Sequence, residues 1–172
     1  NYDLKYAPDF KHFDYVNPDA PKGGTLVLPY TWRFSTVSPM YKPMGYDMSY
    51  DKLIVRAGDE VSGHYCSLVE SVAVSTDGRK IVFRLRPEAR WHDGKPITSE
   101  DIKFSLETFR EDIMGGGWST MLGWISNVEA PDPLTVVIYT ETDAAKQVPI
   151  LSGVPMIPEH YWRDRDLTVP TL

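Results

Sequence analysis

Between Ser71 and Arg110 the chain reverses twice at Asp-Gly and then enters a capped helix, and no other stretch constrains the fold as tightly. Ser71–Ser75 reads as an alternating run, Thr76-Asp77-Gly78-Arg79 is a turn, and Lys80–Arg86 (KIVFRLR) alternates again. Asp-Gly between alternating runs predicts a hairpin, because glycine accepts the positive φ of a tight turn. Asp93-Gly94, after Trp91 and His92, reverses the chain a second time. Thr98 then stands as a helix N-cap with Asp101 in the capping-box position, and Ile97 and Ile102 are placed for a hydrophobic staple. Ile102, Ser105, Leu106, Phe109 and Ile113 keep helical spacing up to Gly115-Gly116-Gly117, so the helix buries one face.

Around this block the elements are short. Residues 1–24 show no period and read as an irregular arm anchored by Tyr2, Tyr6, Phe10, Phe13 and Tyr15. Thr25–Tyr30 (TLVLPY) reads as a strand that Pro29 confines to an edge or a strand end. Residues 31–47 are loop-like, and Asp47–Ala57 is expected to be helical on a partial apolar stripe. Beyond the glycines, Ser126–Glu129 and Leu134–Thr140 read as strands, Ala144–Leu151 as a short helix, and Pro155–Trp162 as a turn opening a helix. Asp166–Leu172 trails off without a cap. Hairpins mixed with helices predict an α/β chain of the mixed α+β kind, not a parallel doubly wound sheet.

Charge and motif content narrow the function. Eighteen Lys and Arg against 24 Asp and Glu give a net charge of −6, which opposes binding to nucleic acid. The single Cys66 excludes an internal disulfide and a cysteine zinc cage. His12, His64, His92 and His160 are scattered, with no metal-ligand spacing. No GxSxG elbow or phosphate-binding glycine loop occurs, so the expectation is no catalytic residue, no metal and no cofactor. Cys66 reads as a small buried residue.

The aromatic residues carry the binding hypotheses. Trp118, behind three glycines, either projects into a cleft and stacks on a ligand or plugs the domain's own core. Tyr41, Tyr46 and Tyr50 cluster in PMYKPMGYDMSY, where Met and Tyr make either an adaptable binding surface or ordinary core packing.

Arg84–Arg110 (RLRPEARWHDGKPITSEDIKFSLETFR) resembles the signature of family 5 extracellular solute-binding proteins, the peptide-binding partners of ABC importers. Gly23-Gly24-Thr25-Leu26, Leu68-Val69-Glu70-Ser71 and Pro158-Glu159-His160 share the resemblance, and the arm FKHFDYVNPDAPKGG resembles the YejA-like branch. The resemblance implies a piece of a two-lobed binding protein that closes on its ligand by hinge motion. Residues 1–40 correspond to an N-terminal arm and the first strand of lobe one, and 41–172 to the small α/β subdomain attached to that lobe, with the second lobe absent. It implies an N-terminal fragment and a periplasmic location after secretion and loss of a signal peptide. The implied partners are a peptide ligand, an ABC permease in the inner membrane, and the rest of the same polypeptide as a second chain. Position by position it implies Met44, Gly45, Tyr46 and Trp118 as ligand-binding residues. Other solutes (an oligosaccharide, an opine or a metal chelate), a hydrolase, and a stand-alone interaction module stay open as alternatives.

Overall fold

The structure is a computed structural model that describes residues 4–25, 27, 49–111 and 117–167. Most of the Thr25–Tyr30 strand, Tyr2, Tyr41, Ile113 and the candidate residues Met44, Gly45 and Tyr46 lie outside the described residues.

The predicted hairpin forms between β3 (Val69–Val74) and β4 (Lys80–Leu85), paired antiparallel around Gly78 at φ 66°. The helix α1 (Ser99–Arg110) follows the second reversal, where Gly94 has φ 84° and the Trp91 N–H donates to the Lys95 carbonyl at 2.8 Å. After α2 (Trp118–Leu122) come β5 (Ile125–Asp132) and β6 (Thr135–Thr140). The four strands make one antiparallel sheet in the order β3-β4-β6-β5, so the β4–β6 pairing is the single long crossing. Among the described residues every pairing in this sheet is antiparallel.

Alternation sorts the sheet into two faces. Ile81, Phe83 and Leu85 of β4, Val136 and Ile138 of β6, and Val128 of β5 are buried on the inner face. Helix α1 covers this face with Ile102, Leu106 and Phe109, each fully buried. The outer face is solvated and laced by side chains. The Lys80 ammonium lies 5.3 Å from the Tyr139 ring centroid, the Tyr139 hydroxyl donates to Glu129 at 2.8 Å, and Arg84 donates to Thr135 at 2.8 Å.

The N-terminus of α1 is fixed as the sequence predicts, and then does more. The Asp101 carboxylate accepts the Thr98 N–H at 2.9 Å and its hydroxyl at 3.0 Å, and the Asp101 N–H directed at the Thr98 side chain completes the capping box. Its other oxygen accepts the Glu159 N–H at 2.9 Å, which ties α1 to α4 (Glu159–Trp162). The Ser105 hydroxyl, fully buried, donates to the Asp101 carbonyl at 2.6 Å and accepts the Ile157 N–H at 2.9 Å. Two polar residues on the apolar face of α1 thus set the path of the segment leading into α4. Ala144–Leu151 divides into α3 (Ala144–Gln147) and a short 3-10 helix (Val148–Gly153), with Pro149 early in the latter. Leu167, in the segment expected to trail off, is buried in the main core.

One expected element is wrong. Within the span 47–57, expected to be helical, residues 54–56 instead form β1 (Ile54–Arg56), paired antiparallel with β2 (His64–Cys66). The physical reason is that this ribbon is covered on both sides. Ile54 and Cys66 are cross-strand partners packed on the main core, whereas Tyr65, opposite Val55, packs against the arm. Apolar residues on both faces erase the period-2 signal and leave a β-branched run that mimics part of a helical stripe.

Candidate functional site

The region put forward for ligand contact is the junction after α1. Gly117 adopts φ 83°, a left-handed conformation that side chains resist, and caps α2. A Cβ there would meet nothing within 4 Å, so backbone conformation and not space demands the glycine. The turn folds α2 back onto α1. Trp118 is 4% exposed, and its ring centroid lies 4.9 Å from that of Phe109 at a 46° tilt. Leu122, one turn on, is buried on the same core. Of the two readings of Trp118, the structure displays the packed one, with Gly117, Ser119 and Thr120 as the exposed rim. Among the tyrosines of the Pro-Met loop, Tyr50 is described. It packs half-buried on the main core, and burial, with Tyr161 nearby, pushes its hydroxyl up to about 12.

Elsewhere the polar groups bind one another. An open depression of about 340 Å³ is bordered by Lys95, Thr98, Asp101, Glu159, His160 and Arg163. Arg163 pairs with Glu159, His160 Nε2 lies 2.7 Å from Asp93, and Asp101 is engaged at both oxygens. The Lys95 N–H, followed by His160, holds the Asp93 carboxyl below its usual range. The Cys66 thiol is pushed up by burial, with Arg86 opposing, which is opposite to what a reactive thiolate needs. Among the described residues no group of three or more His, Cys, Asp or Glu is placed to hold a metal ion.

Sequence reasoning missed the link from Asp101 and Ser105 to the segment entering α4. Its one signal was a serine and an aspartate on the face that otherwise reads as apolar.

The architecture is a mixed α/β fold that solved solute-binding proteins share. The Agrobacterium tumefaciens R10 protein AgaA, in complex with agropinic acid, superposes with a TM-score of 0.69 at 24% identity, over 81% of this chain and 29% of its own. NikZ from Campylobacter jejuni, in complex with Ni(L-His), gives 0.64 at 26% identity, over 72% and 24%.

The chain belongs to the bacterial extracellular solute-binding proteins of family 5, whose middle-region profile matches residues 65–170. That is a family of solute-binding proteins and not of enzymes. The chain is 36% identical to the uncharacterized protein y4wM of Sinorhizobium fredii, over 99% of its own length and 27% of that protein. It is 32% identical to the probable peptide-binding protein YejA of Agrobacterium fabrum, over 99% and 29%. The chain therefore spans less than a third of the length of the curated relatives it matches.

Proposed function

We propose that this chain is the N-terminal part of a periplasmic protein that captures oligopeptides for an ABC importer. The observation that carries the reading is its 32% identity, over 99% of its length, to a probable peptide-binding protein. Residues 1–40 then serve as the arm and first strand of lobe one, and 41–172 as its small subdomain. The second lobe is supplied by the remainder of the polypeptide, which reaches the periplasm with its signal peptide removed.

An extended peptide suits such a protein because main-chain donors and acceptors are common to all peptides, while water-lined pockets adapt to varied side chains. Closure of the lobes is driven by the tighter hold of the closed state on the ligand, and the closed form is what an inner-membrane permease receives. Met44, Gly45 and Tyr46 supply one wall of the cleft in this reading. Trp118, packed against Phe109, is the fourth ligand-binding residue of this reading.

The test is calorimetric titration of the intact parent protein with oligopeptides, and with nickel-histidine as the rival solute. Peptide binding without chelate binding supports the proposal. Chelate binding alone overturns it in favour of the second reading, for which the 26% identity to NikZ is the supporting observation.

A further inference from the structure

The described residues contain two hydrophobic clusters with no member in common. The larger lies between the sheet and α1. The smaller consists of Tyr6, Ala57 and Tyr65 with Phe10 and Phe13 packed on them, so the arm contributes three of its rings. Ring centroids of Tyr6, Phe10, Phe13 and Tyr65 lie 5.0–5.5 Å apart, mostly edge to face. Within residues 4–25 the backbone forms no helix or strand, so no ladder ties it to either sheet.

Side chains do that work. The Lys5 ammonium sits between Asp59 at 2.5 Å and Asp14 at 2.9 Å. The Tyr6 hydroxyl donates to Asp59 at 2.6 Å and accepts the Asp14 N–H at 3.0 Å. The Tyr6 N–H donates to the Tyr65 hydroxyl at 3.1 Å, and the Lys5 N–H to Glu60 at 2.9 Å. All of these partners outside the arm lie between Asp59 and Tyr65, on the β1–β2 ribbon and its loop.

We infer that the arm is a strap that leaves the β1–β2 ribbon and returns as a unit while the four-stranded sheet stays folded. Its catch is the Lys5–Asp59–Tyr6 network over the shared rings. A segment with its own small cluster, exposed polar bonds and no backbone ladder opens at lower free energy than a sheet buried against a helix. The ribbon keeps its place when the strap lifts, because Ile54 and Cys66 hold its other face to the main core.

Hydrogen exchange on the intact protein tests this, read at the amides of Tyr6, Phe10, Asp14 and Val16 against those of β4 and β6. In the unaltered chain the strap amides are the less protected set. Ile138→Val, in the main core, lowers sheet protection about three- to tenfold and leaves strap protection unchanged, since the strap opens without opening the core. Asp59→Asn lowers strap protection at least about threefold while the sheet stays the slowest region to exchange. Equal losses in strap and sheet for Ile138→Val overturn the inference, because the two then form one cooperative unit. Unchanged strap protection in Asp59→Asn overturns the catch.

Discussion

The main core and the strap cluster are both built from large side chains, yet they hold the chain by different means. In the core, Phe83, Leu106 and Phe109 are fully sequestered, and sheet and helix hydrogen bonds account for the backbone. In the strap cluster Phe10 and Phe13 are half-buried, and tyrosine hydroxyls and one lysine satisfy backbone and carboxylate groups. The first arrangement gains from apolar area removed from water. The second gains from edge-on ring contacts and charge-assisted bonds in a wet setting, and each of these is worth less. A few aromatic residues can anchor an irregular segment, but they do not make it part of the core.

Substitutions ranked by effect break or sharpen this contrast. Phe83→Ala should cost about 3–5 kcal/mol in a denaturant melt, through lost burial plus the cavity left. A loss under about 1 kcal/mol would mean the sheet face repacks freely. Ser105→Ala leaves the buried Ile157 N–H without its acceptor and should cost about 1–3 kcal/mol, with exchange at that amide rising. Phe13→Ala, in the strap, should cost about 1 kcal/mol and show in exchange of residues 6–16 more than in the melting midpoint.

Acid supplies the smallest effect at neutral pH. The Asp59 carboxyl is held below its usual value by Lys5 first and Tyr6 second, with Asp14, Glu60 and Tyr65 the other ionisable neighbours in the network. A depressed carboxyl contributes stability above its unfolded value of about 3.9, and loses it as pH falls through the folded value. Strap protection, corrected for intrinsic exchange, should therefore be flat from pH 5 to 8 and fall below about pH 4. A fall near pH 6 would assign the catch to another group.

How much of the molecule was legible in the sequence divides along the same line. The β3–β4 hairpin and the capped α1 were readable because turn chemistry, alternation and capping agree locally, from Gly78 to Thr98. The arm's aromatic anchors were readable as anchors, but not their seat, since Tyr65 sits 59 residues from Tyr6 and nothing local points there. The β1–β2 ribbon was misread because both of its faces are covered. Trp118 could not be decided between cleft and core, because three glycines reveal a turn and not the direction in which the next side chain points. The family was legible in Arg84–Arg110, whose Trp91, Gly94, Thr98 and Asp101 build the junction between reversal and helix.

The two-faced ribbon has a consequence for registry. Strand side chains alternate, so sliding β2 by one residue against β1 exchanges its two sets. Tyr65 would then turn its hydroxyl toward the main core, and Cys66 would meet the rings of the arm. Both clusters reject that arrangement, one for an unpaired hydroxyl and the other for a missing ring. Only three residues long on each strand, the ribbon is thus indexed from both sides, as a key is by wards on its two edges.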